Sequence, residues 1–127
     1  MDENEIAKTV VQAAFEIHSE LGPGLLESVY EVVLCDALRR QGLTVDRQRP
    51  IPIVFRGIHF DEGFRADLIV NDCVLVELKS VEALVNLHKK QVLTYLRLTG
   101  LRLGLLINFN ALLIKDGIRR IANGMPE

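Results

Sequence analysis

The stretch "FRADLIVNDCVLVELKS", residues Phe64–Ser80, decides the fold of this chain. Two runs rich in aliphatic and β-branched residues, joined by a short polar connection, predict two antiparallel strands. Three charged residues, Asp67, Glu77 and Lys79, interrupt these apolar runs. Because charges are costly to bury unless they are paired or bind a metal, the stretch predicts either an ion-pair cluster or a metal site.

The connection between the two strands decides whether the acids meet. A two-residue turn at residues 71–72 would place Asp67 opposite Val76, so that the two acids would point to opposite sides of the sheet. A three-residue connection that includes Cys73, or a nearby bulge, would place Asp67 directly across from Glu77. The sequence leaves both registers open.

Opposed carboxylates would repel each other, and a divalent cation between them would turn that repulsion into binding energy. Hard oxygen ligands suit Mg²⁺ or Mn²⁺, which keep several waters for substrate phosphates. Lys79 follows Glu77 by two residues on the same face and could orient or deprotonate a water, or stabilise phosphate charge. The alternative is that Asp67 pairs with Arg65 or Lys79 at a solvated end of the sheet.

Helical and strand patterns alternate along the rest of the chain. Pro50 and Pro52 confine the strand that contains them to an edge of the sheet. The last helix is expected to cross over to a parallel strand, which predicts a mixed sheet of four or five strands flanked by helices. Asp116-Gly117 predicts a further hairpin in the tail. The predicted elements are helices at about 4–20, 26–40 and 83–98, and strands at about 43–55, 58–60, 64–70, 74–79 and 102–109.

Alternation along a strand predicts which side chains share a face. In the first of the two strands, Asp67 lies on the face opposite Phe64, Ala66, Leu68 and Val70. The apolar face is therefore expected to be one continuous surface.

Composition is that of an ordinary globular protein, with 49% hydrophobic and 25% charged residues. The length of 127 residues predicts one domain over residues 1–127. No apolar run approaches the roughly 20 residues that span a bilayer, and the acidic start "MDENEIAK" lacks the basic segment of a secretory signal. Cys35 and Cys73 are expected to be free thiols, which predicts a reducing, cytoplasmic location.

The net charge of −2 hides an asymmetry between the two parts of the chain. Residues 1–36 carry eight acids against one lysine, whereas residues 37–127 carry fourteen Lys and Arg against nine acids. A basic surface on the later part could meet a polyanion, and the alternative is a set of solvated charged faces. The residues that could form a basic rim and hold phosphates are Arg39, Arg40, Arg47, Arg49, Arg65, Lys89 and Lys90.

Polar side chains also occur at helical spacing. Glu27 and Tyr30 lie three apart on the first turn of the second predicted helix, where a glutamate also suits the helix dipole. Gln91 and Tyr95 lie four apart on the third predicted helix, where they could form a polar flank with a half-buried tyrosine. Each pair is on one side of its helix, so each could reach an end of the sheet.

The segment "GLLESVY", with Gly24, Glu27 and Tyr30, resembles the signature of the GxxExxY protein family, a branch of the PD-(D/E)XK nuclease superfamily. The resemblance continues in order through Asp-x(9)-Glu-x-Lys and Gln-x(3)-Tyr and covers about residues 6–109. Ala66 stands where the superfamily's name has proline, a position that supplies backbone geometry rather than a ligand.

The resemblance implies a restriction-endonuclease-like α/β core in the order α-α-β-β-β-α-β. By this similarity, Asp67 and Glu77 are metal-binding acids, Glu27 is a helix-borne acid near the metal, and Lys79 is the catalytic lysine. It also implies four residues that bind substrate or support the site: Gln91, Tyr95, Tyr30 and Arg65.

The function implied is a Mg²⁺-dependent nuclease acting on DNA or RNA, with Mn²⁺ as another metal. A binding module that uses the same fold without catalysis is the alternative. The small size leaves little room for a recognition module. Either cleavage is weakly specific, or a partner protein or the second subunit of a homodimer supplies specificity.

Overall fold

A computed structural model describes residues 1–126 as three α-helices and a five-stranded mixed sheet. The strands lie in the order β1-β2-β3-β4-β5, with β3 and β4 parallel and the other neighbours antiparallel. The predicted mixed sheet with flanking helices is confirmed. The elements are α1 (Glu3–Leu21), α2 (Glu27–Arg40), β1 (Val45–Phe55), β2 (Ile58–Val70), β3 (Val74–Lys79), α3 (Asn86–Thr99), β4 (Leu103–Asn108), a 3₁₀ helix (Ile114–Gly117) and β5 (Ile118–Ala122).

Local sequence signals set the ends of α1. The Asp2 carboxylate accepts a hydrogen bond from the N–H of Glu5 at 2.8 Å, and the Glu5 carboxylate accepts one from the N–H of Asp2 at 3.2 Å. This reciprocal cap satisfies two N–H groups that have no partner within the helix. Gly22 ends the helix with φ 70°, a conformation that favours glycine.

Helix α3 is the crossover that places β4 parallel to β3, as predicted. The helix begins at Asn86, so the predicted start at 83 was wrong. The His88 ring accepts a hydrogen bond from the N–H of Val85 at 3.0 Å and caps the helix at that point. The preceding loop is fixed by Asn108, which bonds both the N–H and the carbonyl of Val81.

Strand β2 is one continuous strand, whereas the sequence predicted separate strands at 58–60 and 64–70. A shift of register between Ile51 and Ile53 accommodates the extra residues of β2 as an irregularity within the ladder. Strand β1 lies at the edge of the sheet, which confirms the position predicted from its prolines.

The tail forms a strand without the predicted hairpin. Asp116-Gly117 lies in the 3₁₀ helix, and β5 then pairs antiparallel with β4. Gly117 permits this approach, because a Cβ there would lie 2.5 Å from the carbonyl oxygen of Asn108.

Two apolar clusters hold the sheet between the helices. The larger cluster lies under α1 and α2, and the smaller one joins the sheet to Val92 and Leu96 of α3. Phe64 and Ala66 pack with the α3 cluster, whereas Leu68 packs with the α1–α2 cluster. The prediction that these three side chains share a face was therefore wrong. Alternation in β2 breaks at the intervening residue, Asp67.

Among residues 1–126, no helix is both long and apolar enough to cross a membrane. Both cysteines are free, with Cys35 buried and Cys73 partly buried, as the sequence predicted.

Candidate active site

The structure decides the register that the sequence left open. Strands β2 and β3 pair Val70 with Val74, which is the three-residue connection. The side chain of Asn71 accepts a hydrogen bond from the N–H of Thr44 at 2.9 Å and ties this connection to the chain before β1. Continuing the register places Asp67 across from Glu77.

Where Asp67 and Glu77 face each other, hydrogen bonds from main-chain N–H groups to carboxylates replace the main-chain hydrogen bonds between β2 and β3. The N–H of Asp67 donates to Oε2 of Glu77 at 2.9 Å, and the N–H of Leu78 donates to Oδ2 of Asp67 at 2.9 Å. The regular pairing of β2 with β3 ends just before this point, at Leu68 and Val76. Each carboxylate is thus oriented by a main-chain donor of the opposite strand.

Glu77 is a buried acid with a strongly altered affinity for protons. The pKa of Glu77 is raised to about 9, mainly by burial and next by the negative charge of Asp67. The positive charge of Lys79 acts in the opposite direction. At neutral pH, Glu77 therefore holds a proton in the metal-free protein.

Glu27 lies at the start of α2, close to the acid pair. The hydroxyl of Ser80, just after β3, donates to the carbonyl of Leu25 at 2.8 Å and holds the start of α2 against this end of the sheet. Burial, followed by the negative charge of Asp67, raises the pKa of Glu27, while Lys79 lowers it. The charge of Asp67 thus raises, and the charge of Lys79 lowers, the pKa of both glutamates.

Tyr30 fixes the loop that leads into α2. Its buried hydroxyl donates to the carbonyl of Gly22 at 2.6 Å and accepts from the N–H of Leu25 at 3.1 Å. Its ring stacks on Phe109 with centroids 4.5 Å apart. The contacts of Tyr30 are those of a residue that supports the position of Glu27.

Tyr95 of α3 faces the acid pair from the other side. Burial raises the pKa of Tyr95, and the charges of Glu77 and Asp67 raise it further. Gln91 acts in the opposite direction and lowers the pKa of Tyr95. The tyrosine ring stacks on Phe64 with centroids 3.8 Å apart. The predicted pair of polar residues on this helix is thus brought to the site.

A family model of the PD-(D/E)XK nuclease superfamily matches residues 4–121, which include both opposed acids and Lys79. The chain belongs to the PD-(D/E)XK nuclease superfamily. Its three helices and mixed sheet are consistent with the restriction-endonuclease-like fold of that superfamily. Membership indicates a nuclease-like function, and nucleases of this superfamily generally use divalent metals. No curated protein and no solved structure matches the chain.

The sequence did not predict the network of hydrogen bonds that joins Asp67 to Gln48, Glu31 and Arg47. The side-chain amide of Gln48 donates to Asp67 at 3.2 Å and to Glu31 at 2.6 Å, and Arg47 donates to Glu31 at 2.7 Å. Gln48 has φ 54°, which is unusual for a residue with a side chain. The signal that could have found the network was the spacing of Glu27 and Glu31, four apart on one helical face.

Arg65 and the other arginines expected to form a basic rim have partners elsewhere. The guanidinium of Arg65 is exposed and bonds Glu62, so the structure does not join it to the acid pair. Lys89 and Lys90 are exposed and form no ion pair within residues 1–126. The remaining arginines of the expected rim bond acids or carbonyls: Arg39, Arg40, Arg47 and Arg49.

The donors at the site fit a hard cation through two carboxylates. In the part of the chain that the structure describes, no three His, Cys, Asp or Glu side chains are grouped so that they could hold a metal ion. Asp67 and Glu77 remain as an opposed pair, and Mg²⁺ is commonly held by one or two carboxylates with waters completing its shell. The geometry therefore fits Mg²⁺ or Mn²⁺ better than a metal that needs three or four protein ligands.

Proposed function

We propose that this superfamily member is a Mg²⁺-dependent nuclease that hydrolyses phosphodiester bonds of DNA, with RNA as a further substrate. The observation that carries the proposal is the opposition of Asp67 and Glu77, each oriented by a main-chain N–H of the other strand. A structural ion pair would need a cation bonded to these acids, and neither Asp67 nor Glu77 forms an ion pair within residues 1–126. Two acids held together at the cost of repulsion are expected where a metal binds.

The carboxylates of Asp67 and Glu77 would hold Mg²⁺ or Mn²⁺, with Glu27 joined to the ion through a water. When bound, the ion supplies positive charge to the scissile phosphate and to the leaving oxygen. Burial of Glu77 matters here, since electrostatic interactions are stronger where water is excluded.

Lys79 is the residue that we propose to act on the attacking water or on the phosphate. It lies on the same face of β3 as Glu77, and its charge lowers the pKa of both Glu27 and Glu77. An ammonium group there can orient the water that attacks phosphorus. The water oxygen bonds to phosphorus and loses a proton to solvent, the bond from phosphorus to the leaving oxygen breaks, and the leaving oxygen takes up a proton from solvent. The products are a phosphate end and a hydroxyl end.

Gln91 and Tyr95 are proposed to contact the substrate beside the acids, and Lys89 and Lys90 to contact its phosphates. Such contacts fix the backbone of a nucleic acid without reading its sequence. Tyr30 is proposed as a supporting residue only, and Arg65, which bonds Glu62, is left outside the proposed site.

We place the chain in the GxxExxY branch of the superfamily on the strength of Gly24, Glu27 and Tyr30, and we infer a cytoplasmic location. The spacing of these three residues supports the branch. The two free thiols support the location, since thiols stay reduced there.

A non-catalytic binding module is the second candidate. One observation favours it: a main-chain N–H already bonds each of the two acids without any ion. In that case the fold would dock nucleic acid or a protein, and its acids would be structural.

Cleavage assays with the purified chain separate the two candidates. Supercoiled DNA, linear DNA and RNA are incubated with Mg²⁺, with Mn²⁺ or with a chelator. We expect metal-dependent cleavage that Glu77→Gln abolishes, because the amide keeps the shape but cannot carry the charge. Glu82→Gln, at an exposed acid near the end of β3, is the matched control and should cleave normally. Intact substrates with both metals, together with measurable binding, would identify the module.

A further inference from the structure

The hairpin formed by β1 and β2 extends beyond the rest of the sheet. We define the arm as residues 53–60, which follow the shift of register between Ile51 and Ile53. No residue of the arm belongs to either apolar cluster, and β3 ends its regular pairing with β2 at Leu68. A two-stranded hairpin that packs on nothing is only marginally stable in water, so the arm needs a partner surface.

The arm has one apolar face and one mixed face. Arg56 and Gly57 form its tip with φ 49° and 81°, as in a tight hairpin turn. Val54 pairs with His59, and these two side chains point to the mixed face. The pairs on either side of them point the opposite way and form what we call the apolar face: Ile53, Phe55, Ile58 and Phe60.

The apolar face is open to solvent. Phe55, Ile58 and Phe60 are 60%, 58% and 48% exposed. Together they form a contiguous apolar patch, whereas exposed hydrophobic residues on a monomer are usually scattered. A patch of this kind marks a site of interaction.

The composition of the arm favours a protein over a nucleic acid. Its sequence, "IVFRGIHF", has aromatic and aliphatic residues and one arginine, and it contains no Lys, Asp or Glu. Centres of protein interfaces are enriched in aromatics and arginine and depleted in other charges. Binding of a polyanion requires several cations. The arm has a single arginine, Arg56, and its guanidinium lies 5.0 Å from the centre of the Phe55 ring.

Charges at the two ends of the arm are complementary to each other. Arg56 lies at the tip, and the exposed acid Asp61 follows the arm at its base, next to Glu62, which already bonds Arg65. Two arms packed antiparallel about a two-fold axis would bring each Arg56 to Asp61 of the other copy. The same patch would then serve both partners, which is what a two-fold contact requires.

Edge-to-edge pairing of two β1 strands is a poor alternative. Pro50 and Pro52 lie in β1 and have no N–H to donate to another strand. Edge pairing along β1, or along the free edge of β2, would leave Phe55, Ile58 and Phe60 in solvent, whereas packing of the arms face to face buries them. We infer that the apolar face of the arm is the contact between two copies of this chain.

The oligomeric state of the full chain tests this inference, by sedimentation over a concentration series with chelator and without nucleic acid. We expect a wild-type dimer whose dissociation constant rises at least about tenfold with Phe55→Ser, which corresponds to a loss of about 1.4 kcal/mol at a central aromatic anchor. Val54→Ser is the matched control, because Val54 is 59% exposed on the mixed face. It should leave the dissociation constant within about twofold of wild type.

A charge exchange identifies the partner as a second copy. Arg56→Glu should weaken the dimer, and Arg56→Glu combined with Asp61→Arg should restore it, since each contact then has the opposite polarity. Thermal unfolding checks that every variant is folded. A monomeric wild-type chain, equal effects of Val54→Ser and Phe55→Ser, or no recovery in the double variant would each overturn the inference. A monomeric wild-type chain that binds a DNA duplex, together with weaker DNA binding by Phe55→Ser, would overturn the inference and identify the arm as a nucleic-acid contact.

Discussion

The N–H of Asp67 donates a hydrogen bond to the side chain of Glu77 at 2.9 Å, so a catalytic candidate is held by the backbone of the strand opposite it. The reciprocal bond, from the N–H of Leu78 to Asp67, also measures 2.9 Å. Both donors belong to the sheet and cannot rotate away. The acids therefore stay opposed whether or not a cation is present, which preorganises the site.

Metal binding should release a proton from Glu77. A cation binds the carboxylate, whereas burial and Asp67 raise the pKa of Glu77 to about 9 in the metal-free protein. Below that value, the apparent affinity for Mn²⁺ or Mg²⁺ is expected to rise by about tenfold per pH unit. Titration calorimetry in buffers of different ionisation enthalpy should count about one proton released per ion bound.

Glu77→Gln is the control for this proton count. It should bind the metal weakly and release no proton at this position. An affinity that is independent of pH between about pH 6 and pH 8 would contradict the assignment of Glu77 as a ligand.

The stability of the metal-free protein should fall as the pH rises. The pKa of Glu77 is about 9 in the folded protein, whereas an unperturbed glutamate has a pKa of 4.5, so the folded state binds the extra proton. The stabilisation is complete below pH 4.5 and is lost as the pH approaches 9. Compared with Glu77→Gln, the wild-type free energy of unfolding should fall by about 1 kcal/mol per pH unit in this window. Urea denaturation with chelator measures it, and parallel curves for the two proteins would contradict the expectation.

Much of the site could be predicted from sequence, but its register could not. Alternation identified both acids and Lys79, and it left two registers for the hairpin. The choice depends on the bond between Asn71 and Thr44, which are far apart in the chain. A contact of this range leaves no signal in a local pattern.

The break of alternation at Asp67 was invisible for a similar reason. Gln48 lies across from Asp67 and has a left-handed backbone conformation. The segment "DRQRP", residues 46–50, contains no glycine or asparagine that would predict this conformation. Ala66 therefore packs toward α3, contrary to its predicted face. Sequence predicted most elements of the sheet because each carries its own apolar period, whereas the break at Asp67 lies beside hydrogen bonds to Gln48 and Glu31 that come from distant parts of the chain.

Gln48 should position Asp67 for metal binding. Gln48→Ala removes the donor shared by Asp67 and Glu31, so we expect metal affinity to fall by about 10- to 100-fold, as for other residues that orient ligands. Gln48→Gly removes the same donor but suits the backbone, since φ is 54°. We expect the glycine variant to be about 1 kcal/mol more stable than the alanine variant, with metal affinity equally reduced.

The pair of variants separates positioning from folding. Calorimetry gives the metal affinity, and urea denaturation gives the stability. If metal affinity followed stability across the two variants, the role of Gln48 would be structural alone.

Tyr30→Phe should loosen the start of α2 and leave the core intact. The variant keeps the ring stacked on Phe109 and loses the hydroxyl bonds to Gly22 and Leu25. Each lost bond to a buried group costs about 1 kcal/mol, so we expect a stability loss of about 1 to 3 kcal/mol in urea. Because those bonds fix the loop before Glu27, amide exchange should increase at Leu25 and Leu26 and remain unchanged in β4. Equal increases in both places would show that Tyr30 acts on global stability instead of on the position of Glu27.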